Sequence, residues 1–135
     1  MERFQMTGAN AELTQNQLAV GLRAALRILD GWNATTEQVG SILRISTATR
    51  QKISRDSSAS VRLDLDQQQR ISLVLNIHAA LRTVFENQEN VQGFPNLQNA
   101  NDFFEGRSPL EVMAQGDMIS LYETYRRIEH LQQSS

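Results

Sequence analysis

Apolar positions near the start of the chain repeat at helical spacing. At about 3.6 residues per turn they share one face, which predicts an amphipathic helix that ends near Asp30 and Gly31. The residues of that face are Leu18, Leu22, Ala25, Leu26 and Leu29.

Two shorter helices are predicted next. Thr35 and Gln38 form a capping-box pattern, in which each side chain satisfies a backbone donor of the other, and this starts a helix over residues 36–43. Ser46 or Thr47 can cap a third helix that ends near residue 55. The polar stretch that follows it, residues 56–60, is interpreted as a linker.

A long central helix is predicted from about residue 67 to residue 86, capped by Asp64 or Asp66. Its apolar residues cover more than one face, which is typical of a helix that lies at the centre of a fold or also contacts another chain. We therefore expect a two-fold homodimer. The expected dimerisation residues are Ile71, Val74, Leu75 and Ile77.

The last part of the chain predicts a loop and two helices. Residues 87–101 are rich in Asn and Gln and indicate the loop. Ser108, Pro109 and Glu111 form a complete helix start, and Gly116 is expected to end that short helix. Asp117 then caps a final helix whose apolar stripe is Met118, Leu121, Tyr122, Tyr125 and Ile128.

Composition supports an all-α fold, because the chain has only two prolines and no stretch that alternates clearly enough to form a strand. The absence of cysteine excludes disulfides and thiolate chemistry and suits a reducing cytoplasm, where we expect the protein to be located. No signal-like or membrane-spanning apolar run is present, so neither secretion nor membrane insertion is expected. A net charge of −2 argues against non-specific coating of nucleic acid, so DNA binding needs a local patch.

The two short helices over residues 36–53 fit a helix-turn-helix, in which the second helix lies in the DNA major groove. Gly40 is expected where the helices pack closely, and Arg44 occupies a turn position that usually holds glycine, at a conformational cost. The expected core residues are Val39, Leu43, Ile45, Ala48 and Ile53. The side chains left for groove and phosphate contacts are Thr47, Thr49, Arg50 and Lys52. The alternative is that these four are ordinary solvated side chains.

Two segments carry a family resemblance. The stretches DQQQRISLVLNI (residues 66–77) and NDFFEGRSPLEVMAQG (residues 101–116) resemble the toxin-binding region of the Xre/MbcA/ParS antitoxins. With the upstream helix-turn-helix, the resemblance spans about residues 18–131. Its carriers are Gln67, Arg70, Ile71, Leu81, Phe85, Phe104, Gly106, Ser108, Pro109, Leu110 and Met113.

The resemblance implies an antitoxin that neutralises a RES-domain toxin, an NAD-consuming enzyme, and that regulates its own operon by binding operator DNA. It also implies a DNA-binding region over residues 11–60 and a helical dimerisation and toxin-binding region over residues 61–135. Because aromatic, Met and Arg side chains are enriched at interfaces, the expected toxin contacts are Met118, Tyr122, Arg126 and Arg127. The alternative is that the final helix only closes the core.

Enzyme chemistry has little support. His78 and His130 are the only histidines, have no cysteine partners and fall on different helices, so neither a metal site nor a catalytic triad is expected. No cofactor is expected either. Two functions remain: an antitoxin with toxin and operator as partners, or a stand-alone helix-turn-helix regulator whose C-terminal region only dimerises.

Overall fold

The computed structural model describes residues 15–98 and 103–133, and side chains within residues 16–131. This part of the chain is all-helical and contains no strand. It has one 3₁₀ turn, Phe94–Asn96, and seven α-helices: α1 Gln15–Gly31, α2 Thr36–Leu43, α3 Thr47–Arg55, α4 Leu65–Val84, α5 Gln88–Gly93, α6 Pro109–Met113 and α7 Met118–Gln133. The predicted fold class is confirmed.

The helix starts follow from local capping chemistry. At α2, the Gln38 amide donates to Thr35 Oγ1 at 3.1 Å, and the Gln38 side-chain oxygen accepts from the Thr35 amide at 2.9 Å. Such a box satisfies backbone donors that an isolated helix leaves unpaired. Asp64, rather than Asp66, caps α4 and forms a second box with Gln67, and α6 begins with a third box at Ser108.

Helix α4 lies at the centre of the fold. It packs most extensively against α7 and next against α1, with smaller contacts to α2 and α5. Buried side chains from α1 through α7 form one continuous hydrophobic core, and examples from the two ends are Leu22, Leu29, Leu121 and Ile128. The wide apolar arc of α4 is therefore satisfied within the chain itself.

This packing requires a correction to the predicted dimer interface. Ile71, Val74 and Ile77 are 2%, 0% and 0% exposed, and they belong to the helix that α1 and α7 pack against most extensively. They are not accessible to a second copy of this fold. Only Leu75 is partly exposed, and it lines a groove of about 460 Å³ together with Ile28. Self-association itself stays a prediction.

Two segments without predicted structure are more ordered than expected. Residues 87–101 contain α5 and the 3₁₀ turn, and Val91 is buried; residues 99–101 lie outside the described part. The supposed linker after α3 is also packed, because Ala59 and Val61 belong to the core. The proposed division of the chain at residue 60 thus falls inside a packed segment.

Candidate functional site

The helix-turn-helix consists of α2 and α3 joined by the turn at Arg44 and Ile45. Four apolar residues hold the two helices against each other and against the rest of the core, and all four are buried as predicted: Val39, Leu43, Ile45 and Ile53. Ser46 caps α3, because its Oγ accepts from the Thr49 amide at 3.1 Å. This core fixes the orientation of α3.

Arg44 adopts the left-handed conformation, with φ 57° and ψ 44°, at the C-terminal end of α2. This conformation disfavours residues with a β-carbon. The guanidinium group of Arg44 forms ion pairs with Asp64 and with Asp66, the latter at 2.7 Å, and Gln67 donates to the Arg44 carbonyl oxygen at 2.8 Å. The turn is thus anchored to the start of α4 without glycine.

The same contacts set the charge state of the two carboxyl groups. Hydrogen bonding from Arg44 lowers the pKa of both Asp64 and Asp66. Both carboxyl groups are therefore ionised at neutral pH, as the two ion pairs with Arg44 require.

Gly40 does not have the role that the sequence suggested. A β-carbon placed on Gly40 lies 3.5 Å from the Ile45 carbonyl oxygen, which is an ordinary van der Waals distance. Close helix packing therefore does not require glycine at this position.

The exposed face of α3 is the candidate DNA-binding surface, called the recognition surface below. Thr47 and Lys52 are exposed, whereas Thr49 and Arg50 are half-buried at its two flanks. Thr49 takes part in the helix cap, since its hydroxyl oxygen accepts from Ser46 Oγ at 3.0 Å. The four predicted residues therefore share one helix but do not share one face.

Three further residues belong to the recognition surface. At about 100° per residue, Ala48, Gln51 and Arg55 lie opposite the buried Ile53, and all three are exposed. The prediction that Ala48 faces inward was wrong. Counting about 100° per residue from Ile53 is enough to identify this outward face, so these three residues could have been predicted from the sequence.

A second candidate surface lies where α6 meets α7, and we call α6, Gly116 and α7 the C-terminal corner. Asp117 caps α7 by accepting from the Ser120 amide at 2.8 Å, as predicted, and this interaction lowers the pKa of Asp117. Gly116 has φ 91°, a conformation that favours glycine. The change of direction between the two helices is therefore encoded locally.

Arg70 joins the C-terminal corner to the helix-turn-helix. Its side chain lies on α4, is nearly buried, and donates to the Gly116 carbonyl oxygen at 2.7 Å. It also donates to the carbonyl oxygens of Ser41 and Ile42 at 3.3 Å and pairs with Asp66 at 2.9 Å. One guanidinium group thus connects the end of α2, the start of α4 and the turn before α7.

The outward face of α7 contains two of the four predicted toxin contacts, and a third, Met118, is half-buried at its flank. Tyr122 is 44% exposed, and Arg126 is exposed and donates to the Tyr122 hydroxyl oxygen at 3.4 Å. Ile119, which the sequence analysis missed, is 74% exposed and lies one turn before Tyr122. An isoleucine on the polar side of an amphipathic helix was the available signal.

Arg127 differs from the other three. Its guanidinium carbon lies 5.1 Å from the centre of the Phe103 ring, and it pairs with Glu123 at 3.9 Å. These contacts direct Arg127 toward the turn before α6 rather than along the outward face of α7.

Other chemistry is limited within residues 15–98 and 103–133. This part of the chain holds no group of three or more His, Cys, Asp or Glu residues able to bind a metal ion. None of its helices combines the length and the apolar character needed to cross a membrane. His78 is half-buried on α4, and burial, followed by repulsion from Arg82, lowers its pKa.

This geometry defines the class of the protein, which is an all-helical protein with an ordered helix-turn-helix. The family model of the antitoxin Xre-like helix-turn-helix domain matches residues 11–76, which include α1 to α3 and the first part of α4. Residues 11–76 are therefore similar to the Xre-like helix-turn-helix domain of antitoxins. The match ends within α4 and does not include the C-terminal corner.

A relative covers more of the chain. The protein described as "Uncharacterized protein y4oB" of Sinorhizobium fredii (strain NBRC 101917 / NGR234) is 26% identical over 122 residues. The aligned part covers 90% of this chain and 92% of the relative. The similarity thus extends beyond the helix-turn-helix into the C-terminal corner.

Proposed function

We propose that the protein is an antitoxin with two separate binding surfaces, and that it is not an enzyme. The recognition surface binds operator DNA, and the C-terminal corner binds and neutralises a RES-domain, NAD-consuming toxin. The observation that carries the proposal is an Xre-like antitoxin domain whose α3 presents an exposed polar and cationic face.

Charge supports the DNA-binding half of the proposal. The chain as a whole has a net charge of −2, yet α3 contains Arg50, Lys52 and Arg55 and no acidic residue. This is the local cationic patch that a net-acidic protein needs in order to bind DNA. Gln51, at the centre of the exposed face, has an amide that can pair with an adenine edge in the major groove.

The toxin-binding half rests on the outward face of α7. Ile119 and Tyr122 expose apolar and aromatic surface next to Arg126, a combination that is typical of interface centres. The caps at Ser108 and Asp117 and the Arg70 contact hold this corner in one conformation, so binding costs little ordering entropy.

Surface variants test toxin neutralisation better than a truncation does. Leu121, Tyr125 and Ile128 of α7 are core residues, so removal of α7 would expose the centre of the fold. Ile119→Asp combined with Tyr122→Ala leaves that core intact. Cells that express the toxin encoded beside this gene are expected to be rescued by the natural protein but not by this double variant.

The matched control is Val20→Asp, because Val20 is an apolar residue on α1 that is 63% exposed. This control is expected to rescue growth fully, with circular dichroism spectra and melting curves alike for all three proteins. Full rescue by the Ile119 and Tyr122 double variant would place the toxin interface outside the C-terminal corner.

The second candidate function is a stand-alone helix-turn-helix regulator whose C-terminal region only dimerises. The burial of one face of α7 against α4 favours this reading, because the helix then has a purely structural role. Co-expression with the neighbouring gene product distinguishes the two. Copurification supports the antitoxin, whereas a homodimer that binds its promoter but no toxin supports the regulator.

A further inference from the structure

The segment between α3 and α4 is held firmly beside the recognition surface. Arg23 of α1 donates to the carbonyl oxygens of Asp56 at 2.9 Å and Ala59 at 3.2 Å. The amide and hydroxyl of Ser58 both donate to the Asp56 carboxylate, which lowers the pKa of Asp56. Val61 is buried in the core. The backbone through residue 61 is therefore fixed although it is not helical.

Arg62 follows the buried Val61 and is exposed. Together with Thr49 and Lys52 of α3, it lines a surface depression of about 380 Å³. Among the described residues, neither the Arg62 nor the Lys52 side chain has an ion-pair partner. Two cations from separate elements thus line one depression, and none of its lining residues is acidic. Asp56, which lies outside the lining, interacts electrostatically with Lys52 without forming an ion pair.

We propose that Arg62 and Lys52 together bind one phosphate of the DNA backbone, at the edge of the groove that α3 enters. This inference rests on the proposed DNA binding. Phosphate contacts fix the register of a protein on the duplex but carry no direct sequence information. The ammonium group of a lysine and the planar guanidinium group of an arginine both bind phosphate oxygens well. The Thr49 hydroxyl accepts a hydrogen bond from Ser46, so its own proton can be donated to the same phosphate.

The immobilised backbone explains why Arg62 is effective at this position. A cation on a flexible linker has to be ordered when DNA binds, whereas the Arg23 and Val61 contacts have already fixed the attachment point of Arg62. The packed segment between α3 and α4 therefore acts as a second DNA-contacting element beside α3.

The test is fluorescence anisotropy with the promoter fragment of this gene, measured between about 50 and 200 mM salt. Arg62→Ala is expected to weaken binding and to reduce the slope of log K against log salt by less than about 0.9, because Lys52 still contacts the shared phosphate. Lys52→Ala combined with Arg62→Ala removes the whole contact and is expected to reduce the slope by about 0.9. Arg62→Lys keeps the charge and is expected to retain most of the slope. The matched control, Arg82→Ala, changes the net charge equally at the exposed C-terminal end of α4 and leaves both quantities unchanged.

A double-mutant cycle tests whether the two cations share one phosphate. Lys52→Ala combined with Arg62→Ala is expected to lose less than the sum of the two single losses, because both contacts end on the same group. Unchanged affinity and slope in Arg62→Ala, altered base preference, or full additivity in the double variant would overturn this inference while DNA binding stands. If the natural protein itself fails to prefer its promoter, both this inference and the proposed DNA binding are wrong.

Discussion

We expect Arg70 to contribute more than any other polar residue to the relative arrangement of the recognition surface and the C-terminal corner. It is 6% exposed, and its guanidinium group contacts Asp66 and three carbonyl oxygens, including that of Gly116. Arg70→Met keeps an unbranched apolar stem but lacks the guanidinium group, so it removes the charge and all donors. The change therefore tests the polar contacts while most of the packing around the stem is kept.

The expected destabilisation is about 3 kcal/mol. Hydrogen bonds to a charged group contribute roughly 1.5–3 kcal/mol each, and two of the Arg70 contacts, at 2.7 and 2.9 Å, are short enough to count fully. The lower part of that range applies, because Asp66 keeps its ion pair with Arg44 and is partly exposed. Removal of one partner from a fully buried pair costs about 3–5 kcal/mol, which is consistent with this value.

Urea denaturation followed by circular dichroism measures the loss. The transition midpoint should fall with an unchanged slope, and hydrogen exchange at the Ser120 amide, next to Gly116, should accelerate more than exchange in α1. Arg126→Met, at an exposed position, serves as the control and is expected to stay within about 0.5 kcal/mol of the natural protein. A loss below about 0.5 kcal/mol for Arg70→Met, with uniform exchange, would refute the reasoning.

Three further changes test other parts of the structure. Burial lowers the pKa of His78 in the folded protein, so His78 of the unfolded chain takes up a proton first as the pH falls below about 6.5. The free energy of unfolding should therefore decline from that pH down to the folded pKa. In urea titrations at several pH values, His78→Asn should remove this decline. Gly40→Ala should raise the free energy of unfolding by about 0.5–1 kcal/mol, since its β-carbon meets only an ordinary contact; a loss would mean that the site is tighter than 3.5 Å implies. Arg44→Gly and Arg44→Ala both lose the ion pairs, but only glycine adopts the left-handed backbone of this turn without strain. The glycine variant should therefore have the higher thermal midpoint, and the reverse order would contradict the observed turn.

Local chemistry made much of the fold predictable. Capping residues such as Thr35, Ser108 and Asp117 act within one helical turn, so the chain fixes their helix starts without help from distant residues. The helix-turn-helix core followed in the same way from helical spacing.

Long-range packing was not predictable in the same way. The apolar arc of α4 suggested a partner chain, but the structure satisfies it with α1 and α7, which lie far apart in sequence. The role of Arg70 depends on three segments meeting at one guanidinium group, and no local pattern encodes that meeting. The sequence analysis missed Arg62 for a similar reason. Its proposed phosphate contact depends on Arg23, which anchors the backbone before it.

The recognition surface also illustrates the limit of reasoning by residue type. Arg50 and Lys52 were selected for their charge, yet the helix places them on opposite flanks of the exposed face. Gln51 and Arg55 lie closer to its centre. A helical projection anchored on a known buried residue is therefore a better guide to a groove-facing surface than composition alone.

The most direct test of the central claim is a binding measurement of two variants against two partners, the promoter fragment and a catalytically inactive form of the toxin proposed above. Gln51→Ala combined with Lys52→Ala removes polar groups from the recognition surface, and Ile119→Asp combined with Tyr122→Ala alters the C-terminal corner. The two-surface interpretation predicts that the first variant loses DNA but keeps the toxin, and that the second loses the toxin but keeps DNA. If the natural protein binds no toxin, or if either variant loses both partners while remaining folded, the interpretation is contradicted.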